Sequence, residues 1–368
     1  MKNNNVLSGP MSHPKTRLSN IELLRIISVF LILVFHIGSL IIGMPTAEEM
    51  QQSLSPSITR IFFANLSVIC VDVFILISGW FGMHLSVKGV VKLLFQVFFI
   101  YGLVYAIYIV CGYDSINLTG LANVFMADKN TWFIKAYLGL MCLSPALNAL
   151  VEHGSEKQLR YVLISFYSYQ IVYGWITGGA YFLNWGFSVT SFAGLYLLAR
   201  YTRKYLITSE KSYRVFSLAH WINNNRSWGG YFLMFLTIVL IDTIMYCVLY
   251  KLPFSEHLQG RIVCYTNPLV ILEALTLLLT FNSLNIKSNK FINWVAASSY
   301  TAYLLHASHR MSWYKALVGC VYTSYEGLVC IFMLFAVLMG IYVAAVLLDQ
   351  LRIIIWKPIE KALPDAKI

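Results

Sequence analysis

Residues 20–43 read NIELLRIISVFLILVFHIGSLIIG, and residues 61–83 read IFFANLSVICVDVFILISGWFGM. Each is a nearly unbroken apolar run. Each has about the length an α-helix needs to cross a hydrocarbon core of about 30 Å. Neither alternates polar and apolar residues as a barrel strand does. Comparable runs recur at about 90–112, 132–150, 160–178, 185–202, 229–250, 267–284, 292–309 and 326–349, which with 21–43 and 61–83 makes ten. The sixth and ninth are the most interrupted, by Asn, Ser and Thr. The pattern predicts an all-α protein, a polytopic membrane helical bundle of about ten transmembrane helices.

Composition agrees. Of 368 residues, 58% are hydrophobic and 12% are charged, and the mean hydropathy is +0.68. A soluble domain carries about twice that share of charge, so a disordered chain, a coiled coil and a small disulfide scaffold are excluded. The net charge of +11 follows from orientation. With both termini cytoplasmic, 20 of the 27 Lys and Arg fall on the inner side and 7 on the outer side, as the positive-inside rule expects. Nucleic acid is not needed to explain the basicity. The partners it suggests are membrane lipids, with the basic loop 203–228 drawn to headgroups or to a phosphate-rich cytoplasmic ligand. The expected organisation is a cytoplasmic tail at 1–17, a ten-helix domain at 18–350 and a cytoplasmic C-terminal tail at 351–368. No cleavable signal peptide is expected, because the first run is long enough to span. The seven cysteines form no CxxC pair and read as buried structural thiols, with no metal site.

Ionisable residues inside such runs are costly and need a reason. They are Glu22, Arg25, His36, Asp72, Lys135, Asp242, Glu273, His306 and His309. Arg25 and His36 are eleven residues apart, three helical turns plus about 20°, so they share one face with a rise of about 16 Å. Asp72 lies eleven residues before Met83, so it is expected at a depth similar to that of His36. A carboxylate beside an imidazole would fix its tautomer and suit a general base. Ser78-Gly79 lies closer to the cytoplasm and would admit a close neighbour or a ligand. Trp132 and Lys135 belong near the outer surface, His306 in the outer half of the ninth run, and Pro145 is expected to kink its helix. Asp242 and Glu273 have no partner assignable from sequence.

At these residues the chain resembles the acyltransferase family 3 membrane proteins. That family begins with an Arg, ten residues and a His in its first span, as Arg25 and His36 do here. Its second-span element is matched by VDVFILISGWF through Asp72, Phe74, Ser78 and Gly79, with departures at Ile75 and Trp80. A late element matches Tyr303, Leu304, Leu305 and His306, and another near the sixth span matches Phe192, Gly194, Tyr196 and Leu197. The likeness is closest to the stand-alone subgroup that modifies polysaccharides or their lipid-linked precursors. It implies an integral membrane enzyme of the bacterial inner membrane that moves an acyl group, usually acetyl, from cytoplasmic acyl-CoA to a sugar hydroxyl. On that basis His36 and Asp72 are expected to be catalytic. Arg25, Ser78 and Gly79 are expected to bind the acetyl-CoA donor, and Trp132, Lys135 and His306 the glycan or lipid-linked sugar acceptor. No metal is expected. A flippase for a lipid-linked glycan is the competing reading, because it would use the same buried polar residues to line a path.

Overall fold

The computed structural model describes residues 17–178, 181–207, 227–252, 255–307 and 310–363. Most of the 203–228 loop, His309 and nearly all of the N-terminal tail lie outside these residues. The described residues contain helices and no strand. In chain order they are α1 (Ser19–His36), α2 (Ala47–Gln52), α3 (Leu54–Val68), α4 (Cys70–Phe81), α5 (Val87–Val110), α6 (Leu118–Val124), α7 (Trp132–His153), α8 (Glu156–Tyr169), α9 (Val189–Tyr201), α10 (Trp228–Leu249), α11 (Ser255–Ile262), α12 (Pro268–Ser283), α13 (Lys290–His306), α14 (Ser312–Ser324) and α15 (Gly327–Ala362).

A helix stands at each of the ten places expected from the apolar runs. Six helical stretches among the described residues are long and apolar enough to cross a membrane: Ser19–Ile42, Leu54–Phe81, Val87–Val110, Trp132–His153, Trp228–Leu249 and Gly327–Ala362. The helices at the fifth, sixth, eighth and ninth places are shorter or more polar. Their ends are set by local chemistry. Ser155 and Gln158 close a capping box at the start of α8, and Asn267 caps α12 with Pro268 in its first turn.

Four details bear on the sequence expectation. The second span is two helices, interrupted at Ile69, just after Ser67 turns its hydroxyl back on the Phe63 carbonyl at 2.5 Å. The last helix continues to Ala362, so residues 351–362, expected as tail, are helical. Arg352 there is buried against Asp349 at 2.7 Å. Of the cysteines, Cys111, Cys142 and Cys320 are exposed, not buried. Pro145 lies inside α7, which runs on through it. The ring removes the N–H that would reach Met141, and the Ser144 hydroxyl supplies a donor to that carbonyl at 2.8 Å.

The core sits where α1, α4, α9, α12 and α13 meet. Helix α13 presents Ala296, Ser298, Ser299 and Ala302, all buried, and packs closely on α1. Ser298 and Ser299 receive hydrogen bonds from Gln350 and Tyr342 of α15, so α13 is packed between α15 and α1, and its packing on α1 brings the ends of those two helices together.

Candidate active site

His36 is the last residue of α1, and the helix widens directly afterwards into a π-helical turn, Ile37–Ile42. Such turns recur at functional positions. His306 is the last residue of α13. The His36 Nδ1 lies 2.8 Å from the His306 Nε2, and the His306 Nδ1 lies 2.8 Å from the carbonyl of Ala302. These partners fix the protons of a neutral pair. A carbonyl only accepts, so the His306 Nδ1 carries hydrogen and donates it. The His306 Nε2 is then a lone pair, and the His36 Nδ1 must carry the hydrogen between the rings. That leaves the His36 Nε2 with a lone pair and no proton, as a general base requires. Tyr314 closes the pair from behind, its ring centroid 5.3 Å from that of His306 and its hydroxyl donating to the Leu33 carbonyl at 2.7 Å. His306 is completely buried, whereas His36 is half-buried. Only His36 of the two keeps accessible surface.

A line of aromatic rings leads from this pair toward the other end of the bundle. Tyr303 meets Phe133 at 5.4 Å between centroids, and Phe133 meets Phe74 at 5.7 Å and Tyr137 at 5.9 Å. The Tyr137 hydroxyl is 3.1 Å from the Ser78 Oγ, and Tyr137 lies within electrostatic range of Arg25. On α4 the residues from Cys70 to Trp80 are buried except Phe74 and Ser78, one turn apart, which are half-buried. Tyr137 and Tyr300 are half-buried as well. Side chains that keep accessible surface in the middle of a bundle border open space. Ser78, Tyr137 and Phe74 thus form a contiguous run of partly accessible side chains that leads toward the histidines.

The structure redistributes several residues singled out by sequence. Asp72 does not meet His36. It is fully buried with neither carboxyl oxygen hydrogen-bonded among the described residues, and it lies near Tyr167, Cys264 and Glu273. Depth on a helix is set by residue count, but the direction a side chain faces is set by packing between helices. Gly79 is not open to a ligand either. A Cβ there would stand 2.6 Å from the Tyr196 carbonyl oxygen and 2.9 Å from its Cα, so Gly79 is where α4 and α9 cross. His306 stands behind His36 and touches it. Arg25 pairs with Glu22 at 2.9 Å and keeps 28% of its side chain exposed. Trp132 is half-buried in an aromatic group with Phe187 at 4.5 Å and Tyr265 at 6.1 Å, and Phe35, next to His36, also meets Tyr265, at 6.3 Å. Lys135 is exposed and donates to the Asp128 carbonyl at 3.1 Å. Tyr137 and Arg200 escaped the sequence reading, the first because it looked like an ordinary apolar-run aromatic, the second because it was counted as loop charge. Among the described residues no group of three or more His, Cys, Asp or Glu has a metal-binding arrangement.

Residues 18–349 match a family model, acyltransferase 3, described as an acyltransferase domain. No curated protein and no solved structure matches the chain.

Proposed function

The chain belongs to the acyltransferase 3 family and is an integral membrane acyltransferase, and from that premise we propose that it transfers an acyl group, acetyl in the simplest case, from cytoplasmic acyl-CoA to a hydroxyl of a surface polysaccharide or lipid-linked sugar. In this reading the protein resides in a bacterial inner membrane with both termini cytoplasmic. The observation that carries it is the His36–His306 pair, which leaves the His36 Nε2 as an available base.

The chemistry follows from those atoms. The donor's pantetheine arm lies along Ser78, Tyr137 and Phe74, with Arg25 near its phosphates. The acceptor comes from the aromatic side of Trp132, Phe187 and Tyr265, where sugar rings find flat apolar surfaces. The acceptor hydroxyl gives its proton to the His36 Nε2 as its oxygen attacks the thioester carbonyl carbon. The tetrahedral intermediate collapses, the C–S bond breaks, and the thiolate takes the proton back from His36. The products are an O-acyl ester and free CoA thiol. His306 accepts from the His36 Nδ1 throughout and steadies the imidazolium that forms. Asp72 has no step in this scheme.

The test is mass spectrometry of surface glycans from cells with the wild-type protein, with His36→Ala and without the gene. A mass difference of one acyl group that requires His36 is expected. Glycans of identical mass in all three strains, with the wild-type protein present in the membrane, refute the proposal.

A further inference from the structure

Arg200 is on α9, one turn beyond Tyr196, and is 6% exposed. Its Nε is buried with no hydrogen-bond partner among the described residues, and no carboxylate forms an ion pair with it among them. A buried cation without a counter-charge is strongly disfavoured unless something supplies one. Its Nη1 lies over the backbone at Gly82, 2.8 Å from where a Cβ would stand. Gly82, with φ +81°, ends α4. A side chain there would be strained and would displace the guanidinium.

Capping of α4 does not explain Arg200. The carbonyls of Ser78, Gly79 and Trp80 near the end of that helix are already used. Ser78 and Gly79 receive the Gly82 N–H at 3.1 and 3.2 Å, and Trp80 receives an N–H of Arg203 at 2.5 Å. Asn148 and Tyr196 hold both backbone groups of Met83, at 2.7 and 2.8 Å. Arg203 also lies over the Trp80 and Phe81 rings, at 5.8 and 5.7 Å, within electrostatic range of Arg200. Two guanidiniums thus gather about 6 Å along the axis from Ser78, four residues at 1.5 Å each. Tyr196 lies within electrostatic range of both Arg200 and Tyr137, and Tyr137 within range of Arg25. The cluster therefore sits at the Ser78 end of the run of partly accessible side chains.

We infer that Arg200, with Arg203 beside it, is a phosphate subsite that holds the nucleotide end of the acyl-CoA donor. The inference rests on the donor assigned above. Guanidinium forks match phosphate oxygens in pairs, and a phosphate would supply the missing counter-charge.

The experiment uses the full chain in lipid nanodiscs and measures binding of CoA and of pantetheine, which lacks every phosphate. For Arg200→Gln, CoA affinity is expected to fall about 10- to 100-fold, the loss of a charge-assisted contact, with pantetheine affinity unchanged. The ligand-free variant is expected to melt no lower than wild type, because an unpaired buried charge has gone. Unchanged CoA affinity overturns the subsite, and so does equal weakening of both ligands. Should Arg200→Gln fail to fold, Arg200→Lys serves. It keeps the charge but not the fork, so it should weaken CoA alone, and unchanged CoA affinity again overturns the proposal. Wild-type protein that binds neither ligand refutes the donor assignment instead, a result distinct from the others.

Discussion

Replacing His306 by Phe keeps a ring of similar size in a fully buried position but removes the acceptor 2.8 Å from the His36 Nδ1. The His36 N–H then faces a cavity without a partner, at a cost of about 1–3 kcal/mol for a buried donor. The proton is also no longer confined to Nδ1. In the other tautomer the Nε2 is protonated and cannot act as base. If the cost falls on the transition state, where His36 is charged, turnover drops about 5- to 150-fold at about 1.4 kcal/mol per tenfold. Loss of the base itself, in His36→Ala, should cost about 10²- to 10⁴-fold. His306→Gln retains an acceptor oxygen and should fall between wild type and His306→Phe. The donor KM should stay constant, since His306 touches no substrate. The assay is transfer of labelled acetyl from acetyl-CoA to extracted membrane glycans by purified protein in nanodiscs. The decisive comparison is the double variant. If His306 acts only through His36, His36→Ala with His306→Phe is no slower than His36→Ala alone. Unaltered turnover in His306→Phe, or the same proportional loss in the His36→Ala background, would defeat the tautomer reasoning.

Other outcomes follow from the packing. Gly79→Ala should lower stability by about 1–3 kcal/mol, because the new Cβ meets the Tyr196 backbone and α9 must move; an unchanged melting temperature in detergent would count against the crossing. Asp114, in the loop after α5, receives two N–H bonds from Arg310 at 2.6 and 3.0 Å, and these hold its carboxyl below the ordinary value of 3.8. Its contribution to stability is complete above that value and disappears as pH falls through the lowered one. Asp114→Asn should therefore lower the melting temperature at neutral pH but not in strong acid, and a loss of the same size at both would exclude the ion pair.

The sequence made depth legible but not direction. Apolar run length marked where helices stand, and the cost of ionisable groups in such runs marked Arg25, His36, Asp72 and His306 before any contact was known. The eleven-residue spacing placed Arg25 and His36 on one face, because both are on one helix and the 3.6-residue period holds within it. Between helices no such rule applies. Asp72 was expected at a depth like that of His36, but no hydrogen bond joins them; how α4 sits depends on contacts such as Gly79 against Tyr196, between residues over a hundred positions apart. The partner His36 does meet is 270 residues away, brought there by the packing of α13 on α1. Arg200 was hidden for the converse reason. Near the end of an apolar run an arginine looks like an interfacial anchor, and only the packing of α9 on α4 buries it. The requirement deduced for His36 nevertheless survives the change of partner. A base at Nε2 needs a hydrogen-bond acceptor at Nδ1. A carboxylate meets that need by its charge. A neutral imidazole meets it only if its own second nitrogen is held protonated, which is what the Ala302 carbonyl does. The Ala302 carbonyl is therefore as much a part of the base as either ring, and α13 must keep its last turn intact for His36 to work.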